Sequence, residues 1–524
     1  MSHGKQNTDI VAPISTFYGG KYGRLFPDLP PWKPDGVSDD QLETYFLDIA
    51  KKYMVRSGNA EPTIDILGQR NPSSIPAGYT YFGQFVDHDI TFDITPLSES
   101  EVDPNKLRNF RTPRFDLDCI YGSGPDDQPY LYQHDEKGRF TGKLLTGEFI
   151  SPTGINDLQR NSEGRAIIGA MRNDESAFVA QFQLAFIRAH NKLVYRAKEK
   201  GLANTGAEAF LMASRTLRWL YQWVVWHDFV KRISDNQIHE SSLRLNNSVG
   251  GLTSWQLGLE DVYDWKKQPF MPIEFSVAAY RFGHSMARKD YQTNEARLTG
   301  TENGDRFPLF NFSDKEQDLS GFRPLAAKRL IQWNWFLEMK PDAGTGFPQP
   351  ADPIDTKLSD ALSKLPDGGG DPHSILSVLA ARNLVRGVRM KLPSGPDVAR
   401  KLGFQPIKIS KKEPRALWYY ILKEAETLSD TKTAGFKLGQ VGSTIVCATF
   451  AGLLKGDQRS WINIQPTWTP DRDPLLDHDY NKDPGDWTLA SIIRMSGLPV
   501  ARDSFSKNSE SKRLGKSPEL LGRE

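Results

Sequence analysis

Apolar residues recur at helical spacing through most of the chain, and strict strand alternation is rare. Leu42, Tyr45, Phe46, Ile49 and Tyr53 fall three and four residues apart, which predicts a helix over 41–56. A second helix is predicted from Tyr79 to Phe92, preceded by Pro76. Between 100 and 150 the pattern breaks: Thr112-Pro113, Gly122-Ser123-Gly124-Pro125 and Lys137-Gly138 predict loop and short turns. A long helix is predicted over 175–200, with Phe178, Phe182, Phe186, Leu193 and Val194 on or near one face. Further helices are predicted over 207–233 and 273–288. The stretch 291–350 is loop-rich, and helical spacing returns at 373–388, 395–402, 414–426, 438–455 and 487–496. These elements predict a mainly α fold.

Composition narrows the class. The 524 residues hold no internal repeat and no Gly-Ser linker, so the helices read as one large domain over 21–502 between tails at 1–20 and 503–524. Residues 1–40, rich in Gly, Pro and Asp, suit an extended surface arm. Lys and Arg number 66 against 65 Asp and Glu, so no global field points to nucleic acid or to an anionic membrane. No run of 18 apolar residues occurs, so a membrane span is not expected. Met1 to Ser15 is polar and lacks an apolar signal core. The expectation is a soluble protein, either cytoplasmic or exported without a cleavable leader. Cys119 and Cys447 are too few for a disulfide framework and lack zinc-ribbon spacing, which leaves buried free thiols. Nothing in the pattern fixes an oligomeric state.

Two of the nine histidines have unusual neighbours. One stands in Gly83-Gln84-Phe85-Val86-Asp87-His88-Asp89, where Gln84 and His88 share a helix face and the two carboxylates point elsewhere. Taken alone, Asp-His-Asp suits capping or salt-bridging, a metal site, or acid/base work near neutral pH. The other stands in Tyr280-Arg281-Phe282-Gly283-His284-Ser285. A glycine beside a histidine lets a flat group approach the backbone. Taken alone, His284 suits either a core histidine bonded to a carbonyl or an axial ligand of haem iron.

The order of several separated motifs resembles the animal, myeloperoxidase-like, haem peroxidases. The distal segment resembles Gly-Gln-x-x-Asp-His-Asp of that family. Arg172-Asn173-Asp174-Glu175 matches its Arg-x-x-Glu, followed at the family's spacing by Ile187-Arg188-Ala189-His190-Asn191-Lys192-Leu193. Arg281-Phe282-Gly283-His284 matches the proximal motif, and Asn383-Leu384-Val385-Arg386-Gly387 resembles the proximal Asn-x-x-Arg run. The stretch Gly23 to Trp32 looks like the N-terminal arm of bacterial members. The resemblance covers roughly residues 20–500.

That resemblance implies a fold with haem between a distal and a proximal helix, and a peroxidase that reduces hydrogen peroxide and oxidises a halide, pseudohalide or small aromatic donor. His88 is then the distal proton shuttle, Arg172 the cation beside the departing oxygen, and Gln84 a holder of water or halide. His284 is the iron ligand and Asn383 its partner, an amide that gives a weaker push than a carboxylate would. Arg281 and Arg386 sit near the haem propionates. Asp87 and Glu175 match the two carboxylates that form ester links to a haem b derivative. Ser176 stands where myeloperoxidase has a methionine bonded to a haem vinyl, so no sulfonium link is expected. A calcium ion is implied on Asp89, Thr112, Arg114 (through its carbonyl), Asp116 and Asp118. The superfamily's fatty-acid dioxygenases carry a radical tyrosine three residues before the proximal histidine. That position here is Arg281, which favours peroxidase. Retention of His88, Arg172 and His284 argues against a silent, non-catalytic member.

Overall fold

The computed structural model describes residues 20–56, 75–92, 108–147, 156–247, 253–265, 269–294, 306–340, 347–429, 434–481 and 487–500. The expected tails at 1–20, apart from Gly20, and at 503–524 lie outside the described residues. Among the described residues the long helices are α1 (Leu42–Ile49), α2 (Gly78–Ile90), α3 (Ala177–Glu199), α4 (Gly206–Val224), α5 (Leu379–Arg389), α6 (Leu417–Glu426), α7 (Gln440–Gly456) and α8 (Leu489–Ser496). No helix among these residues is long and apolar enough to cross a membrane.

Local chemistry sets where these helices start. Ser176 caps α3, its hydroxyl accepting the Val179 amide. Thr205 and Glu208 form a reciprocal capping box at the start of α4, the Thr-x-x-Glu signature of a helix N-terminus. α4 runs on through a π-helical turn at Val225–Val230. α2 is buried on most sides: Phe85 stacks on Phe186 at 4.8 Å, and Phe82 meets Phe182 at 5.8 Å and Phe229 at 5.6 Å. Each such ring taken from water contributes about 1.5–3 kcal/mol, so α2 is held mainly by its aromatic face. One continuous core cluster of buried side chains reaches from Tyr22 to Leu498.

The structure departs from the periodicity in three places. The segment expected as a proximal helix over 273–288 is a π turn, Glu274–Ala278, followed by a 3₁₀ stretch, Ala279–His284. The helical ladder breaks at Ala278, whose φ and ψ are −128° and −74°. Side chains satisfy carbonyls of this stretch: Arg281 Nε donates to Ser276 O at 3.0 Å and Trp418 Nε1 to Arg281 O at 3.1 Å. The helix expected from 373 begins only at Leu379, because the preceding stretch bonds across to Leu365, whose amide donates to Ser377 O. Short strands also occur. The largest pair joins Leu243–Asn247 to Thr253–Leu257, antiparallel, with Leu243 opposite Leu257.

A small sheet ties the N-terminal arm to the proximal segment. Gly20–Gly23 pairs antiparallel with Arg108–Asn109 and parallel with Met271–Pro272. The buried Glu274 carboxylate then accepts the amides of Leu25 at 3.0 Å and Phe26 at 3.4 Å. Tyr22 is thereby held in the wall of the central cavity.

Candidate active site

A cavity of about 1380 Å³, including its open mouth, separates α2 from the proximal segment. Gln84, Asp87 and Glu175 line one side, and Arg281, Gly283, His284 and Arg386 line the other. The two sides touch at one edge, where Tyr280 Oη donates to Gly83 O at 3.0 Å. Phe178, Phe229, Val277, Phe282, Leu309 and Leu319 make most of the remaining wall apolar.

On the distal side, His88 is 2% exposed and stands behind the residues that line the cavity. Its Nδ1 lies 2.8 Å from Asn173 Oδ1, and its Nε2 lies 3.5 Å from Glu175 Oε1. Gln84 Nε2 donates to the same Glu175 oxygen. Burial, reinforced by the nearby Arg172 cation, pushes the pKa of His88 down to about 3, so the ring is neutral near pH 7. Arg172 sits on the 3₁₀ turn Met171–Asp174. Its Nη2 donates to the carbonyls of His88, at 3.2 Å, and Thr91, and its guanidinium lies 4.5 Å above the Phe92 ring. It therefore grips the end of α2 and is not part of the cavity wall. Asp87 accepts from Thr91 Oγ1 at 2.9 Å.

The turn that carries Arg172 and Glu175 is clamped from both flanks. Arg160 spans Asp157 and Asp174 with bonds of 2.8–3.1 Å, all three side chains being almost fully buried. Gly321 donates to Glu175 O at 2.9 Å, and a Cβ there would lie 1.7 Å from Asp174 O. Only glycine permits that approach.

On the proximal side, Asn383 Nδ2 lies 2.7 Å from His284 Nδ1, while Asn383 Oδ1 accepts from Arg281 Nη1 at 2.9 Å. Burial, and then the Arg281 charge, holds His284 well below the usual histidine range, so its ring is neutral near pH 7. Gly283 lines the cavity with nothing within 4 Å of where a Cβ would stand. A flat group can rest there. An apolar slot, a neutral imidazole, an open glycine face and two arginines at the wall fit a haem.

The expected cation loop also comes together in part. Asp89, Asp116 and Asp118 each offer a ligand oxygen within 4.8 Å of the others. One oxygen each of Asp89 and Asp118 is buried without a hydrogen-bonding partner. Thr112 Oγ1 donates to Asp116 Oδ2 at 2.7 Å, and the Arg114 amide is bonded to Thr112 O at 2.8 Å. Burial and the neighbouring acids Asp118 and Asp116 push Asp89 up, and burial and Asp116 push Asp118 up to about 7. Orphaned, crowded carboxylate oxygens are what a hard cation relieves.

A model of the animal haem peroxidase family matches residues 94–387. The chain belongs to that family. Heme peroxidase 2 of Caenorhabditis elegans is 26% identical over 198 residues, 36% of this chain and 25% of that protein. The peroxidase-like protein of Margaritifera margaritifera is 25% identical over 261 residues, 40% of this chain and 31% of that protein. The match thus spans a quarter to a third of these relatives. Among solved structures, peroxidase A from Dictyostelium discoideum gives a TM-score of 0.56 at 15% identity, over 88% of this chain and 94% of that one. Oryza sativa fatty acid alpha-dioxygenase gives 0.55 at 14% identity, over 90% and 79%. Identities this low establish the fold, which is the mainly α animal haem peroxidase fold. Membership in the family implies a haem cofactor.

Three features of this peroxidase-family site went unread in the sequence. Asn173 and Gln183 form a buried hydrogen-bonded line behind His88, and Glu274 anchors the arm. The amides carry no charge and match no motif. A signal existed nonetheless: Gln181 and Gln183 interrupt the apolar face of a Phe-rich helix. A buried amide on such a face needs a partner.

Proposed function

We propose that the chain is a haem peroxidase of bacterial type, folded as a single domain over 21–502, that reduces hydrogen peroxide and oxidises a halide, pseudohalide or small aromatic donor. The observation that carries this reading is the pairing, across one cavity, of a neutral buried base with a neutral buried ligand: His88 on Asn173, and His284 on Asn383. Haem, when bound, supplies the redox-active iron at which the peroxide bond is cleaved. His284 would hold that iron through Nε2. With Nε2 on the iron, Nδ1 would carry the proton, and the Asn383 amide beside it would have to present its oxygen in place of Nδ2. Arg281 and Arg386 line the wall where the propionates would lie, and Asp87 and Glu175 line the opposite wall, where ester links would form. His88 Nε2 takes a proton from peroxide and returns it to the leaving oxygen. Arg172 keeps its charge, although burial lowers it to about 10, and stabilises negative charge at this end of α2. Gln84 holds Glu175 and, through its amide, a small polar ligand.

The dioxygenase reading has less support. Arg281 stands three residues before His284 and is bonded to Asn383. Tyr280, which does line the cavity, donates to a backbone carbonyl of α2. The deciding experiment loads the purified chain with haem and assays both chemistries. A Soret band with peroxide-dependent oxidation of iodide or a phenol is expected. Oxygen uptake with a fatty acid and no peroxide would favour the dioxygenase, and failure to bind haem would sink both readings.

We also read the Asp89, Thr112, Arg114, Asp116 and Asp118 loop as a calcium site. Its titration gives a signed prediction. Asp118, at about 7, and Asp89, raised, hold protons in the folded chain that the unfolded chain loses near pH 4. The cation-free fold therefore loses stability as pH rises from about 4 to about 7. Calcium displaces those protons, so its stabilisation grows with pH. Thermal unfolding midpoints should show a larger gain from calcium near pH 8 than near pH 5. A gain independent of pH would mean these acids are not the ligands.

A further inference from the structure

We propose that Asn173 is a positioning residue that fixes the tautomer of His88, and that a backbone carbonyl of the cation loop sets its orientation through Gln183. The proposal rests on the reading of His88 as the proton acceptor of the peroxidase site.

Polarity propagates along a line of four groups. The carbonyl oxygen of Cys119 can only accept. Gln183 Nε2 donates to it at 2.9 Å, which turns Gln183 Oε1 toward Asn173. Asn173 Nδ2 donates to that oxygen at 2.7 Å, which turns Asn173 Oδ1 toward His88. Oδ1 lies 2.8 Å from His88 Nδ1 and can only accept, so Nδ1 carries the proton. In a neutral imidazole Nε2 is then the bare lone pair. Nε2 is also the nitrogen on the side of the cavity-lining Glu175.

Burial makes the line rigid. Asn173 and Gln183 are 0% exposed. Turning either amide over would set donor against donor and acceptor against acceptor in a site shielded from bulk solvent. A single carbonyl thus decides, three links away, which ring nitrogen can take a proton. With the other tautomer Nε2 would present an N–H on the side of Glu175 and could not accept there.

The anchor of the line belongs to the acidic loop. Cys119 follows Asp118 in the one-turn helix Asp118–Tyr121, and Asp118 Oδ1 accepts from Arg111 Nη1 at 3.0 Å. The other end of that acidic cluster is Asp89, next to His88 on α2. The loop therefore holds His88 twice: along the helix through Asp89, and at the ring through Cys119, Gln183 and Asn173.

Two substitutions separate positioning from simple packing. Asn173→Leu removes the acceptor at Nδ1, whereas Asn173→Asp keeps one. If Asn173 only fills space, Asp is the worse change, since it buries a charge. If Asn173 fixes the tautomer, Asp retains it and Leu loses it. The tautomer is read by ¹⁵N spectra of histidine-labelled protein in its diamagnetic ferrous carbon monoxide form. The parent and Asn173→Asp should show His88 protonated on Nδ1, and Asn173→Leu should show Nε2–H or a mixture. Cyanide provides the second readout, because hydrogen cyanide must give its proton to the distal base as it binds. Cyanide association should slow about 100-fold in Asn173→Leu, the lower end of the range for a lost general base, and recover in Asn173→Asp at pH 8. Gln183→Leu, one link further out, should give a milder mixture, and it stands in if Asn173→Leu does not fold. An Nε2–H tautomer in the parent would overturn the proposal, as would parental spectra and cyanide rates in Asn173→Leu. A chain that takes up no haem overturns the peroxidase reading instead, and the tautomer can still be read in the haem-free chain.

Discussion

His88→Ala is expected to slow the reaction with hydrogen peroxide by about 10²–10⁴-fold, the span of a lost general acid/base, while haem content stays at the parental level. The ring is buried, neutral and backed by Asn173 at 2.8 Å, and in the proposed mechanism it would accept a proton at Nε2 and return it. Glu175 is close, at 3.5 Å from Nε2, but its oxygen is engaged by Gln84. Removing the ring also takes the buried Asn173 Oδ1 away from its partner, at a cost of about 1–3 kcal/mol of stability. The thermal midpoint should therefore fall as well. Stopped-flow mixing with peroxide, set against haem content from the same preparation, separates the two effects. A variant that reacts with peroxide at the parental rate removes His88 from the mechanism. Because burial holds the parental ring near pKa 3, the parental rate should show no His88 titration between about pH 8 and pH 4.

Much of this site was legible because its residues announce themselves by charge or by spacing. His88 and Gln84 share a face of a helix whose apolar period is plain, and the structure builds that helix over Gly78–Ile90. The acids Asp89, Asp116 and Asp118 meet within 4.8 Å although Asp89 and Asp116 are far apart in sequence. Other parts depend on geometry that periodicity does not encode. The proximal stretch has helical spacing, yet it folds as a π turn and a 3₁₀ stretch. Arg281 and Trp418 take up carbonyls there, and Glu274 is pulled toward the arm. The arm lies roughly 250 residues away in sequence, so no local pattern could show that pull. The position of Arg172 is a similar case. Its motif points to the distal pocket, but in this fold its Nη2 reaches the carbonyls at the end of α2. The buried amides Asn173 and Gln183 matter through their orientation, which only the assembled core determines.

His284→Ala should abolish peroxide-dependent turnover, with a loss beyond the about 100-fold that typically follows removal of a metal ligand's hydrogen-bonded partner. His284 is the imidazole in the cavity wall opposite α2, and Asn383 holds its Nδ1 at 2.7 Å. Gly283 beside it leaves the cavity open toward that ring. Alanine removes the Nε2 donor and leaves Asn383 Oδ1 able to accept from Arg281 Nη1, as it does in this structure. The wall should therefore survive and the fold with it, so the loss falls on iron ligation. Two outcomes then report on the carboxylates. If Asp87 and Glu175 hold the haem covalently, acid–organic extraction of His284→Ala still leaves haem on the chain, with an altered absorption spectrum. If they do not, the variant loses its haem on gel filtration. Added imidazole should restore part of the parental spectrum by occupying the vacated space, because a ligand that fits the hole needs no new backbone geometry. Parental turnover in His284→Ala would place the iron ligand elsewhere, and the pairing of His88 with His284 across the cavity would no longer explain the chemistry.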